Sequence, residues 1–182
     1  MRFCEFHGKP ASRPGNIGPQ VDPTLTTKVV EWNDPEALEE ALRIKDRTGA
    51  HVTVLTMGPA QAEEALRKCL SFGADDAILI SDKVFAGADT LATSFVIASA
   101  LRTLHEQRPL DLIFTGKQTI DGDTAQVGPG IAIRLGYQLL TYVSKLREID
   151  PAGRRIVVER RAEGGVQVLQ SSLPAVITML EG

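Results

Sequence analysis

The sequence predicts an α/β fold: a doubly wound, Rossmann-like parallel sheet followed by additional antiparallel strands. Three observations carry this prediction. Short β-branched runs alternate with amphipathic helices through most of the chain. The helices are bounded by start and stop residues. After Leu139 the rhythm changes to strands separated by tight turns. The 182 residues suffice for a single domain, 1–182, and 43% hydrophobic with 24% charged side chains is the composition of a globular chain. A formal charge of −3 leaves no basic field to gather nucleic acid phosphates.

The elements follow in order. After an opening rich in Pro and Gly, the run Asn33, Asp34, Pro35, Glu36 reads as a helix start with a side-chain cap and proline in the first turn. The helix from Pro35 to Arg47 presents Leu38, Ala41 and Leu42 on one face and ends at Gly49. His51 to Thr56 is a β-branched strand stopped by Met57, Gly58 and Pro59. A helix from Ala60 to Phe72 ends at Gly73, a strand spans Ala77 to Ser81, and Asp89 and Thr90 open a helix running to about Gln107. Asp111 to Thr115 is the next strand; a polar loop from Gly116 to Asp123 then leads into a helix from about Thr124 to Leu135, closed by Gly136. Beyond it, Leu139 to Val143, Lys145 to Asp150, Arg155 to Arg161, Val166 to Ser171 and Ala175 to Leu180 read as strands joined by hairpins. The last of these is strongly apolar, and ending there it predicts an exposed edge or patch, with either self-association or weak, incomplete binding of a partner.

Chemistry in such a sheet belongs beyond the carboxyl ends of the strands, in the loops starting at Met57, Ser81 and Thr115. The last is the most informative. Its glycines admit close backbone approach, and the helix that follows offers unpaired N–H groups and a positive dipole end to an anionic phosphate. The same residues also make an ordinary loop with Asp123 or Thr124 as helix cap. No GxxxxGKS/T or GxGxxG run occurs, and Lys117 precedes the glycines, so it is no P-loop lysine. His7, His51 and His105 are scattered, GxSxG and HExxH are absent, and His105 reads as a surface cap at a helix C-terminus. No hydrolase or transferase constellation is present. Asp121 and Asp123 form a carboxylate pair without a third metal ligand in view. Cys69 lies on the helical stripe of Ala62, Ala65, Leu66 and Leu70 and reads as core, while Cys4 has no CxxC partner. The first residues contain no apolar stretch of signal or membrane type, which points to a cytoplasmic chain without a membrane partner.

The run GKQTIDGDTAQVGP, Gly116 to Pro129, resembles the nucleotide-binding loop of the β subunit of electron transfer flavoprotein, including its FixA-type relatives. Ala37 to Lys45, Met57 to Pro59, Glu63 to Leu66, Gly73 to Asp75 and Leu173 to Thr178 are similar to family segments in the same order, over about Val29 to Glu181. The resemblance implies an adenine nucleotide alpha hydrolase-like fold and an electron-carrier subunit. Its partner is a flavin-carrying α subunit, and the pair passes electrons between dehydrogenases and acceptors. It also implies a bound adenine nucleotide: AMP in the ordinary branch, a second FAD taking hydride from NADH in the bifurcating branch. The loop wording, with Gly87 to Ser94, is similar to the bifurcating branch and favours FAD over AMP. Carried over by residue, the backbone of Met57 and Gly58 would lie against the adenosine. Gln118, Asp121, Gly122, Asp123, Thr124, Ala125, Gln126, Val127 and Gly128 would wrap ribose and phosphate. Thr90 and Thr93 would donate to a pyrophosphate if FAD is bound; otherwise Thr90 caps its helix and Thr93 bonds back one turn.

Two departures from the family stand out. Glu5 and His7 occupy positions where an apolar first strand is expected, which puts that strand's contact to adenine in question. Family chains also continue past Gly182 into a recognition loop and an arm around the α subunit, so the resemblance implies C-terminal truncation. The competing reading is a free-standing adenine-nucleotide module like a universal stress protein. Its Gly-rich motif ending in Gly-Ser or Gly-Thr is missing here.

Overall fold

The computed structural model describes residues 2–7, 26–30, 35–116 and 125–180. Its strands are β1 (Arg2–His7), β2 (Thr26–Val30), β3 (His51–Met57), β4 (Asp76–Ser81), β5 (Leu112–Gly116), β6 (Gln138–Asp150), β7 (Arg155–Ala162), β8 (Gly165–Ser172) and β9 (Ala175–Met179). They form one nine-stranded sheet in the order β1-β4-β3-β2-β5-β9-β6-β7-β8. From β4 to β6 the neighbours run parallel. The flanks are antiparallel, with β1 on β4 at one side and β7 and β8 at the other. The sheet is therefore mixed, with the predicted parallel body and hairpin extension.

Helices cover both faces because each has one apolar stripe to bury. On one face lie α1 (Pro35–Thr48), through Ala37, Leu38, Ala41 and Ile44, and α2 (Glu63–Phe72), through Leu66 and Cys69. On the other lie α3 (Thr90–Gln107), through Ile97, Ala100 and Leu101, and α4 (Val127–Leu135), through Ile131 and Ala132. The central strands are buried from both sides, which explains why β5 and β9 read as near-continuous apolar runs and why even Thr53 and Thr56 of β3 are buried. Cys69 is core, as expected, and burial pushes its thiol up to about 11.

Several boundaries differ from the sequence reading. Ala60–Ala62 is a 3-10 turn ahead of α2. The two strands expected between Leu139 and Asp150 are one, β6, whose register slips twice against β7, between Val143 and Lys145 and between Leu146 and Glu148; the slips mimic a break in the polar-apolar pattern. The most consequential correction concerns the last strand. β9 does not form an exposed edge: it inserts between β5 and β6, and every residue from Ala175 to Met179 is buried. A run that apolar is the signature of a central parallel strand. The edge is β8 instead, where Val166 and Val168 are exposed.

The amino-terminal end of β5 is pinned by a polar network. Arg154 Nη1 pairs with the buried carboxylate of Asp111 at 2.9 Å, tying the β6–β7 turn to the sheet. His105 Nδ1 accepts from the Leu110 N–H at 3.1 Å and lies 2.8 Å from the Tyr137 hydroxyl. Two donors converging on one nitrogen require the neutral tautomer with its proton on Nε2. His105 thus ties α3 to the incoming strand instead of capping helix carbonyls. Burial, reinforced by the Asp111 charge, raises the Tyr137 phenol above its ordinary value.

Candidate functional site at the carboxyl edge

β2 sits between β3 and β5, and the chain winds outward from it in both directions, so the carboxyl edge at β3, β2 and β5 is the topological switch. Met57 and Gly58 end β3 there, and the Gly58 N–H donates to Ile80 O at 3.0 Å, joining the ends of β3 and β4. The amino-terminal ends of α3 and α4 meet the same edge from one face.

α4 starts unusually close to the strands. A Cβ on Gly128 would lie 2.7 Å from Thr115 Oγ1 and 2.7 Å from Thr178 Cγ2. Thr115 and Thr178 are register partners at the carboxyl ends of β5 and β9. Two residues on, a Cβ on Gly130 would meet Ser94 Oγ of α3 at 2.7 Å. Both glycines are thus needed for close approach, Gly128 to the sheet and Gly130 to α3. Thr115 Oγ1, beneath the first turn, is buried without a hydrogen-bond partner. Thr178 Oγ1 accepts from the N–H of Tyr142, a residue at φ 57°.

The two helix N-termini differ in what occupies them. At α3, Asp89 is the cap: its carboxylate accepts from the Ala92 N–H at 2.7 Å, and its carbonyl accepts from Thr93 N–H at 2.9 Å. An anion there would meet a carboxylate. At α4, the cap position is Gln126, whose side chain makes no capping bond, and the first turn carries no acid. Pro129 has no N–H, so Val127 and Gly128 supply the first-turn amides, and the Gln126 side chain caps neither. Gln126 Oε1 instead accepts from the Thr90 hydroxyl at 3.2 Å, bridging the two helix starts.

Of the residues singled out from the sequence, Met57, Gly58, Thr90, Thr93, Ala125, Gln126, Val127 and Gly128 all lie at this edge. Gln118, Asp121, Gly122, Asp123 and Thr124 lie outside the described residues, and the expected helix caps Asp123 and Thr124 with them. α4 begins at Val127, later than the predicted Thr124, because Ala125 stands at φ 52° and cannot continue a right-handed helix. Thr90 does not cap α3, since Asp89 does. Thr93 does not bond back one turn: its backbone, not its hydroxyl, meets Asp89. Sequence reasoning passed over Thr115, Thr178 and Ser94. The signal was a hydroxyl ending each of two apolar strands, in LIFT and VIT. Among the described residues no three His, Cys, Asp or Glu side chains group as metal ligands, and no helix is long and apolar enough to cross a membrane.

A sequence model described as "Electron transfer flavoprotein domain" matches residues 27–182. A protein named FixA from Azotobacter vinelandii is 70% identical over 154 residues, 85% of this chain and 55% of its own length. FixA of Azorhizobium caulinodans is 63% identical over 154 residues, 84% of this chain and 55% of its own. The electron transfer flavoprotein subunit beta of Thermoanaerobacterium thermosaccharolyticum is 41% identical over 169 residues, 89% of this chain and 62% of its own. The chain spans little more than half the length of these curated relatives. It belongs to the electron transfer flavoprotein domain family and is β-subunit-like.

Proposed function

We propose, from that membership and from the edge geometry, that the chain is the nucleotide-holding part of an electron transfer flavoprotein β subunit. It binds an adenine nucleotide, FAD in preference to AMP, and pairs with an α subunit that carries its own flavin. The supporting observation is the start of α4: an acid-free first turn that the Gln126 side chain does not cap, brought against the sheet at Gly128 and against α3 at Gly130. The amides of Val127 and Gly128 take the phosphate, and the dipole of α4 favours its charge. The backbone at Met57 and Gly58 borders the adenosine.

A flavin held here supplies the redox chemistry. The chain's own residues bind and orient; none is asked to move a proton. Electron transfer between dehydrogenases and acceptors then depends on the distance and orientation that the two subunits impose. Titrating the chain with AMP and FAD in a calorimeter tests the reading. Saturable one-to-one binding is expected, weakened by roughly 1–3 kcal/mol in a folded Gly128→Val variant, the scale of unmade buried hydrogen bonds. Equal affinity in wild type and Gly128→Val places the nucleotide elsewhere. Sustained hydrolysis of ATP or AMP by the pure chain contradicts a carrier without acid–base machinery.

A further inference from the structure

α3 and α4 lie side by side on one face of the sheet and touch where α4 has no side chain. Ser94 of α3 is buried, and a Cβ on Gly130 of α4 would stand 2.7 Å from its Oγ and 2.8 Å from its Cβ, so only glycine admits the contact. Each helix then sends an arginine to a main-chain carbonyl of the other. Arg134, in the last turn of α4, reaches back along its own helix. Its Nη1 donates to Gly130 O at 3.1 Å, and its Nη2 crosses to Leu91 O, in the first turn of α3, at 3.3 Å. Leu91 O also accepts from the Ser94 hydroxyl at 3.0 Å. In the opposite direction, Arg102 Nη2 of α3 donates to Arg134 O at 2.9 Å, one of the end carbonyls of α4 that lack a partner within the helix. Donors acting at two heights along the pair oppose sliding, and the glycine contact fixes how close the two axes come.

The two helices rest on different strands. α3 contacts β3, which ends at Met57, while α4 contacts β9. In the nucleotide reading above, on which this inference rests, the adenosine lies at the end of β3 and the phosphate at the start of α4. A ligand whose two parts are covalently joined must meet both places at once, so its affinity depends on their separation. Either part alone does not. We infer that Arg134 is a positioning residue that fixes this separation, holding α4 to the first turn of α3 while making no contact with the ligand itself. Gly128 sets how near α4 stands to the sheet, and Arg134 sets its place along α3.

The test combines calorimetric titration with AMP, nuclear magnetic resonance titration with adenosine and with ribose 5-phosphate, and amide hydrogen exchange without ligand, on wild type, Arg134→Met and Gly130→Ala. Arg134→Met keeps an unbranched stem and removes the guanidinium. Gly130→Ala keeps the guanidinium and drives a methyl group against Ser94. Both are expected to weaken AMP about three- to tenfold and to leave adenosine and ribose 5-phosphate within about twofold of wild type. Without ligand, Arg134→Met is expected to speed exchange of the α4 amides from Ile131 to Leu135 by about threefold or more relative to those of α1, on the opposite face, which report global unfolding. Ribose 5-phosphate weakened in step with AMP in Arg134→Met would mean that the arginine charge attracts the phosphate, and adenosine weakened in step would mean damage around β3. Either result overturns the positioning role, as does an AMP affinity unchanged in either variant. Equal acceleration of α1 and α4 overturns the hold of Arg134 on α4. A wild type that takes no AMP overturns the nucleotide reading and the positioning of its ligand, and the exchange rates then decide by themselves whether Arg134 holds α4 to α3.

Discussion

Adding a single methyl group at Gly128 tests whether the start of α4 is held against the sheet as described. In Gly128→Ala the new Cβ would stand 2.7 Å from Thr115 Oγ1 and 2.7 Å from Thr178 Cγ2. The second approach is about 1 Å inside the optimal separation of two carbons. Neither obstacle can yield cheaply. Both side chains are short, β-branched and buried, and they stand on adjacent central strands in register. Overpacking of this kind costs about 1–3 kcal/mol. Against it stands at most about 1 kcal/mol of better helix propensity. The balance is a loss of about 1–2 kcal/mol. With a urea m-value of about 2 kcal/mol per molar, the unfolding midpoint falls by about 0.5–1 M. Thr178→Ser removes the obstructing methyl and Thr115→Ala the obstructing hydroxyl, so the triple variant should recover most of the loss. A Gly128→Ala chain as stable as wild type, or a loss that the two relieving substitutions leave untouched, refutes the close approach.

Three further outcomes follow from the buried polar groups. Thr115→Val replaces an unpartnered buried hydroxyl by a methyl and should leave stability equal or higher by up to about 1 kcal/mol in urea titration; a loss above that would show that the hydroxyl is satisfied in the folded chain. Burial lifts the Cys69 thiol from 9.0 to about 11, so between those values the unfolded chain gives up its proton first. Stability then falls with rising pH by up to about 1.4 kcal/mol per unit, and this contribution is intact below pH 9. The alkaline slope should be shallower in Cys69→Ala, measured by urea titration at stepped pH, and an identical slope would refute the assignment. Arg154→Met removes the partner 2.9 Å from a carboxylate that is only 4% exposed, while the guanidinium itself is 55% exposed. The solvent-exposed side discounts the full buried-pair penalty to about 1–3 kcal/mol, read from unfolding midpoints, and a change below 0.5 kcal/mol would show that Asp111 does not depend on Arg154.

The sequence carried the fold wherever one physical signal dominated. Periodicity located α1, α2 and α3 because each has one buried stripe; a side-chain cap marks the start of α3, and the expected α1 caps Asn33 and Asp34 lie outside the described residues. It failed at β9, because an apolar run says that a strand is buried but not which neighbours bury it. Only the crossover from β8 back to a place between β5 and β6 decides that. At the carboxyl edge, the glycines and hydroxyls of the loop were legible as a phosphate-type pattern. The cradle beneath Gly128 was not, since Thr115 and Thr178 are 63 residues apart in the chain and meet only through strand register. The capping of α3 by Asp89 was legible in type, while the expected caps of α4, Asp123 and Thr124, lie outside the described residues.

The backbone itself marks the same edge. Among the described residues, three other than glycine take left-handed φ values: Ala125 at 52°, Tyr142 at 57° and Arg154 at 48°. Each such residue costs about 1–2 kcal/mol and persists only where surrounding contacts compensate. Arg154 has a visible compensation in its pairing with Asp111, far from the carboxyl edge. Tyr142 has one in the hydrogen bond from its N–H to Thr178 Oγ1, the residue whose methyl group faces Gly128. Ala125 stands immediately before the cap residue of α4. Two of the three strained positions therefore flank the start of one helix, on either side of the β9 threonine that supports it. On the proposed nucleotide reading, a backbone over-determined at the start of α4 is the pre-organisation that binding a charged ligand needs.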